Sequence, residues 1–133
     1  MKNIAVFGYI ELENRILLVK HAYGNRNWHL PGGSVEHHEC IEDALLREVH
    51  EETGFNVEPT FLKGVIYSRE NYAVSYLYKC TISGGSLRKN FDREIMDIGF
   101  FKKDSLPENI SDYALDRIHR FNTDDLIVTQ WDR

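Results

Sequence analysis

The sequence predicts a single α/β domain, a mixed β-sheet carrying two helices of unequal character. Three observations lead there. The chain has 133 residues, too few for two independent hydrophobic cores. Short apolar runs rich in β-branched residues recur between Gly, Pro and Asn signals, as strands do. Only two stretches repeat their apolar residues with the period of an amphipathic helix. With 42% hydrophobic and 28% charged residues, the composition excludes disordered, collagen-like and coiled-coil chains. The whole of 1–133 is read as one domain, with 122–133 as either a last strand or a contact for a homodimer.

Asn3 to Ile10 and Arg15 to Lys20 flank the polar segment Glu11–Asn14 and read as a β-hairpin. His21 to Asn27 is a polar loop. Trp28-His29-Leu30 is a short extended piece stopped by Pro31-Gly32-Gly33. From Glu39 to Thr53 the pattern is helical, and Gly54 supplies the C-terminal stop. Phe55 to Val57, Thr60 to Tyr67 and Tyr72 to Ile82 read as strands, the last ended by Ser83-Gly84-Gly85-Ser86. Glu94 to Phe101 is a further strand. Ser111 to Phe121 is an amphipathic helix with Tyr113, Leu115, Ile118 and Phe121 as its core contacts. Leu126 to Trp131 is compatible with a strand or with a partner-binding tail.

Sixteen Lys and Arg against 21 Asp and Glu give a net charge of −5. Phosphate backbones recruit Lys and Arg, so a nucleic-acid partner is not expected. The same balance sits awkwardly with any anionic substrate. The longest uncharged apolar stretch near the start, Asn3 to Ile10, falls far short of the ~20 residues that span a bilayer, so no membrane partner is expected. A secretory leader needs a basic start, a longer apolar run and a small-residue cleavage site; here Lys2 is followed by a short run and then Glu11. Cys40 and Cys80 show no CxxC spacing, which speaks against a disulfide framework and a structural zinc site. Reduced thiols and a cytoplasmic location are the simpler expectation.

The 39–53 helix departs from ordinary amphipathic patterning. With Ile41 as origin and about 100° per residue, Leu45 falls at about 40°, Val49 at about 80° and Ala44 at about 300°, which defines the buried stripe. Glu48 falls at about 340°, Glu51 at about 280° and Glu52 at about 20°. Three carboxylates therefore lie inside or beside the apolar stripe, while Glu42, Asp43 and His50 take the polar side. Burying like charges is costly unless something positive joins them. Oxygen-only clusters at this spacing suit a hard divalent cation such as Mg²⁺ or Mn²⁺, which keeps waters and shares substrate phosphates. Just upstream, Leu30-Pro31-Gly32-Gly33 brings bare backbone beside the cluster, and glycine lets a main chain approach a ligand without a Cβ in the way.

Gly33, Glu39, Arg47-Glu48-Val49, Glu51-Glu52, Gly54 and Phe55 reproduce the pattern Gx5Ex7REUxEExGU, in which U is a bulky aliphatic or similar residue. Seven fixed positions at roughly 6% frequency give a chance match on the order of 10⁻⁹ per window. The stretch resembles the box of the Nudix hydrolases. Trp28 to Gly33 resembles the usual approach to that box, and Glu94 to Phe101 followed by Leu106-Pro107 resembles the late strand of many members, so the likeness covers roughly residues 3 to 121. His38 departs from the glycine common just before the box glutamate.

The resemblance implies an α/β/α sandwich and a hydrolase that cleaves a nucleoside diphosphate linked to another group by water attack on phosphorus, with Mg²⁺ or Mn²⁺ present. By motif position it implies that Glu48, Glu51 and Glu52 are metal ligands and catalytic carboxylates, joined by the backbone carbonyl of Gly33 or Gly32. Arg47 with Glu39 would be a structural ion pair. The general base varies within the family between the residue matching Glu48 and a glutamate outside the box. Glu94 is the candidate for that outer carboxylate and Asp97 the next; a solvated strand-end charge is the other reading of Glu94.

Among the remaining residues, Tyr23, Trp28, Tyr67, Tyr72 and Phe7 are candidates to stack on a nucleobase, with core packing as the competing role. Lys20 and Arg69 lead the candidate phosphate ligands, ahead of Arg15, Arg26, Arg88 and Lys89. The substrate expected is a small nucleotide or nucleotide conjugate. Two other readings remain open: a Nudix-fold nucleotide sensor without turnover, and a hydrolase of non-nucleotide diphosphates. The acidic balance then has a local cause, since four glutamates sit in one short stretch and divalent cations rather than lysines would face the phosphates.

Overall fold

The computed structural model describes residues 3–132; Lys2 and the outermost ends of the domain lie outside the described residues. The chain runs β1 (Asn3–Leu12), β2 (Arg15–His21), β3 (Trp28–His29), β4 (Gly32–Ser34), α1 (Ile41–Thr53), β5 (Phe55–Ser68), β6 (Ala73–Gly85), β7 (Ile95–Lys102), α2 (Asp112–Arg120) and β8 (Ile127–Gln130). Among the described residues these strands form one mixed sheet, ordered β3-β2-β1-β6-β5-β8, with β4 added to β1 and β7 to β2. The α/β sandwich expected from the sequence is the architecture found.

Alternation along β1 and β2 divides the core. Val6, Ile10 and Leu17 point to one face and pack with Ala44, Leu45 and Val49 of α1. Tyr9, Ile16 and Leu18 point to the other and pack with Ala114, Ile118 and Phe121 near α2. Both faces of β1 and β2 are thus covered, as their continuous apolar character requires. No helix among the described residues is long and apolar enough to cross a membrane.

The expected hairpin is present only at its tip. Glu13 and Asn14 adopt positive φ of 53° and 63°, the geometry a two-residue turn between twisted strands needs. Only Glu11↔Ile16 and Leu12↔Arg15 pair there. Beyond them the strands splay, because β4 takes the facing edge of β1 at Ala5 to Phe7 and β3 takes that of β2 at Val19 and Lys20, while β6 and β7 pair their outer edges. The two strands expected at 55–57 and 60–67 are one strand, β5, with irregular register on either side of Pro59. Proline lacks the N–H a ladder needs, so the strand bulges there rather than ending. The Gly32-Gly33 segment, expected as a stop, pairs with β1 as a short strand. Leu126 to Trp131 contains a strand: β8 runs parallel to β5 from Gly64↔Ile127 to Tyr67↔Gln130.

On α2 one expected core contact is wrong. Leu115 is 37% exposed, whereas Arg117 is 1% exposed and packs inward. From Tyr113, Leu115 lies about 200° round the helix and Arg117 about 40°, inside the arc that holds Phe121. Ser111 caps this helix by accepting from the Ala114 N–H at 3.0 Å.

Close packing of α2's end on the sheet depends on a missing side chain in β5. A Cβ built at Gly64 would come within 2.9 Å of Phe121 Cδ1, and closer still to the next ring carbon. Gly64→Ala is expected to destabilise the fold by about 1–3 kcal/mol through overpacking. The urea midpoint measures this, and an unchanged midpoint would show that the ring moves aside freely.

Candidate active site

The site forms where α1 packs over β4. Helix α1 starts after Cys40, which gives no side-chain cap, and ends at Gly54, whose φ of 85° is the left-handed stop. Between these ends Arg47 is the hub. Its Nε donates to Glu39 Oε2 at 2.7 Å and its Nη2 to Glu39 Oε1 at 3.0 Å, a two-pronged contact. The same Nη2 donates to the Ser34 carbonyl at 3.2 Å, and Nη1 donates to Glu48 Oε1 at 3.0 Å and Glu51 Oε2 at 3.4 Å. Hydrogen bonds from Arg47 and from the Glu36 backbone hold Glu39 down to about 2.

The three box glutamates are not equally placed. The Glu48 side chain is 18% exposed and the Glu51 side chain 57%. Glu51 therefore lies at the rim rather than inside, consistent with its place at the edge of the apolar stripe. Glu52 is the buried member, accepting from the Gly32 N–H at 2.8 Å. Burial pushes its carboxyl up to about 8 against that hydrogen bond, and the charges of Glu48, Glu94 and Glu51 push the same way. Burial likewise raises Glu48, opposed by Arg47. As they stand, no three acidic, His or Cys side chains among the described residues already close around a metal position.

Bare backbone faces this cluster. Gly32 has φ of 151°, and a Cβ on it would run into the Val6 carbonyl. A Cβ on Gly33 would meet the Glu48 carboxylate at 2.7 Å. The loop before the helix uses His38 at φ of 67°, a left-handed position that glycine takes without strain. Rings of His37 and His38 pack on each other, 3.9 Å between centroids.

Glu94 is exposed and sits one residue before β7. Its charge reaches Glu52, Glu48 and the Tyr23 hydroxyl. A chain of contacts anchors it: Arg88 Nη1 donates to the Glu51 carbonyl at 3.1 Å and Nη2 to Asp92 Oδ2 at 2.7 Å, while Asp92 Oδ1 accepts the Glu94 N–H at 2.8 Å. The bond from Arg88, with those backbone N–H groups, holds Asp92 down to about 2. Sequence reasoning treated Arg88 only as a phosphate candidate and missed this strap, for which sequence spacing carries no signal.

The other candidates scatter. Tyr23 is exposed, stacks on His21 at 4.9 Å and borders the acids. Trp28 is 9% exposed and packs edge-on against Phe101, so its ring belongs to the core rather than to a stacking surface. Lys20 lies on β2 opposite Trp28 and Asp97. Arg69 lies in the exposed β5–β6 turn beside Glu70 and Tyr72, away from the acids. His29 was not singled out from the sequence, yet it stacks between His21 and Tyr113 at 5.3 and 5.1 Å. Its Nδ1 lies 3.1 Å from the Leu30 carbonyl, and burial pushes the ring down to about 4.

Glu52 makes the metal-free protein sensitive to pH. Its folded pKa lies above the usual 4.5, so the protonated form stabilises the fold at low pH and that stability is lost as pH rises through about 8. Thermal melting from about pH 5 to pH 9 should fall more steeply for the wild type than for Glu52→Gln; equal slopes would remove the buried proton from Glu52. Gly33→Ala should displace Glu48 and weaken divalent-cation binding, measured by calorimetry, while circular dichroism stays native.

A family model described as the NUDIX domain matches residues 1–121. The chain is 32% identical over 116 residues to a "MutT-like protein" from Streptomyces ambofaciens, covering 86% of this chain and 74% of that one. It is 34% identical over 116 residues to an "ADP-ribose pyrophosphatase" from Methanocaldococcus jannaschii, covering 83% and 68%. A solved NUDIX hydrolase from Nitrosomonas europaea aligns with a TM-score of 0.81 at 22% identity, over 98% of this chain and 79% of that one, a likeness of fold. Arg47 and its glutamates thus lie within the matched domain, and the chain belongs to the Nudix family as a Nudix hydrolase.

Proposed function

We propose that the protein hydrolyses the diphosphate linkage of a nucleoside di- or triphosphate or a nucleotide conjugate, with Mg²⁺, or Mn²⁺ in its place. The observation that carries this reading is the buried Glu52 carboxyl. It is raised to about 8 beside Glu48, Glu51 and Glu94, and it lies against a glycine backbone that no side chain blocks. A cation at this place would offset the carboxylate charges, and the all-oxygen donors fit a hard divalent ion. Glu48, Glu51 and Glu52 with the Gly33 carbonyl would hold it. The ion would supply counter-charge to the diphosphate oxygens and acidify water. Relatives named for ADP-ribose and for 8-oxo-dGDP support a nucleotide substrate.

The chain's own groups divide the remaining work. Arg47 fixes Glu48 and thereby the position of the phosphorus to be attacked. Glu94 is favoured as the base of the two candidates, because Arg47 already engages Glu48 while no hydrogen bond or ion pair holds the Glu94 carboxylate among the described residues. Water placed between Glu94 and the phosphorus gives a proton to a Glu94 oxygen as its own oxygen bonds to phosphorus and the bridging P–O bond breaks, the other phosphate leaving with the bridging oxygen. Tyr23, exposed beside the acids, is placed to cover the substrate.

Glu52→Gln and Glu51→Gln should abolish divalent-dependent phosphate release from a panel of nucleoside triphosphates, dinucleotides and nucleotide sugars, with the fold intact. Glu94→Gln should cut kcat by about 10²–10⁴-fold with KM little changed. Wild-type rates from the box variants would reject the hydrolase assignment of these residues. A Glu94 variant at full rate would return the base role to Glu48.

A further inference from the structure

Arg88, in the loop between β6 and β7, turns its guanidinium back on its own chain. Nε donates to the Asn90 carbonyl at 2.6 Å, Nη1 to the Glu51 carbonyl at 3.1 Å and Nη2 to Asp92 Oδ2 at 2.7 Å. All three nitrogens are engaged, and the side chain is only 19% exposed. A phosphate ligand presents its fork to the substrate; this fork braces a loop.

One end of the brace is the C-terminus of α1. The last carbonyls of a helix have no partner inside it. Here the Arg88 N–H donates to the Thr53 carbonyl at 2.8 Å and the Ser86 N–H to the Gly54 carbonyl at 3.3 Å. Nη1 takes the Glu51 carbonyl, and a cation at this end also answers the helix dipole. Gly54 permits the close approach, since a Cβ there would come within 2.9 Å of the Arg88 nitrogen.

The other end is Glu94. Asp92, gripped by Nη2, accepts on Oδ1 from the Glu94 N–H at 2.8 Å and the Ile95 N–H at 3.0 Å. The Glu94 carbonyl accepts the Ala22 N–H at 2.8 Å. The Glu94 backbone is thus held on both sides, although its carboxylate is not. The last turn of α1 therefore carries two of the box carboxylates, Glu51 and Glu52, and offers its carbonyls to the loop that ends in Glu94.

We propose that Arg88 is a positioning residue for the hydrolysis: through Asp92 it keeps the Glu94 carboxylate in register with the box carboxylates. The assignment rests on the reading of Glu94 as the base. In-line attack needs water, phosphorus and proton acceptor aligned, and a misplacement of about 1 Å can cost about 10²-fold in rate. Lysine would not serve, because a single compact ammonium cannot reach three separated acceptors.

The test is a double-mutant cycle on the Mg²⁺-loaded protein, with a substrate that it turns over from the panel above. Arg88→Met should cut kcat by about 10²-fold, with KM and the half-saturating Mg²⁺ concentration unchanged. Arg88→Lys should not restore the rate. In a Glu94→Gln background Arg88→Met should lower kcat no further, because the group that it positions is already disabled. An arginine that only stabilises the fold would lower kcat by the same factor in both backgrounds. That equal drop, a loss confined to KM, or full rate from Arg88→Lys overturns the assignment. Should Arg88→Met fail to fold, Asp92→Ala, which breaks the same link, is read in the same cycle by the same criteria. If Glu94→Gln turns over at the wild-type rate, the base reading falls and this one with it. A rate that needs Glu94 but neither Arg88 nor Asp92 overturns only this one. A wild type that releases no phosphate from the whole panel overturns the hydrolysis reading and both assignments.

Discussion

The Arg47 guanidinium is the contact on which the site's geometry rests. One planar cation bonds the Glu39 carboxylate twice, the Ser34 carbonyl once, and both Glu48 and Glu51. It therefore ties the 34–39 loop to the helix and supplies the positive charge that lets two carboxylates approach each other. Lysine could not do this, because its ammonium lacks the fixed fork that reaches several acceptors in known directions. Arg47 does not answer Glu52, which turns to the Gly32 N–H and whose carboxyl burial pushes up to about 8. The cluster is thus balanced on one side and short of positive charge on the other.

The short strand β4 lies where the two faces of the sandwich adjoin. Gly32 and Gly33 meet the α1 carboxylates, and Ser34 reaches the cavity walled by Tyr113 and Trp131. Pairing with β1 at Ala5, Val6 and Phe7 holds these three residues in register. In the proposed function the carboxylates and the Gly33 carbonyl would act on phosphate on the α1 side of β4, and the cavity walled by Tyr113 and Trp131 lies on its other side.

Much of this was legible in the sequence, and the rest was not for identifiable reasons. The α1 wheel located Glu48 and Glu52 correctly on the inward side, but it put Glu51 beside the stripe without showing that the rim there is open. Counting apolar residues on α2 chose Leu115 and passed over Arg117, although the wheel places the arginine on the buried arc. An aromatic pair at suitable positions, Tyr113 and Trp131, makes burial of that cation tolerable, and Trp131 arrives from a distant strand. Trp28 read equally well as a stacking ring or a core ring until Phe101 was found against it. The Arg88–Asp92 strap that anchors Glu94 joins the 83–93 loop to the end of α1, and no periodicity marks such a link.

The sequence by itself determined the elements, the box and the helix face that carries its acids, because periodicity, glycine stops and residue spacing are local properties of the chain. It also determined the family, since the box residues are contiguous enough to be matched without coordinates. Only the tertiary structure decided which carboxylate is buried, which aromatic rings are spent on the core and which cation is enclosed by them. Burial and pairing depend on what distant strands bring alongside a residue. Glu52 and Arg117 differ from their helical neighbours only in what the sheet and the C-terminal strand place against them.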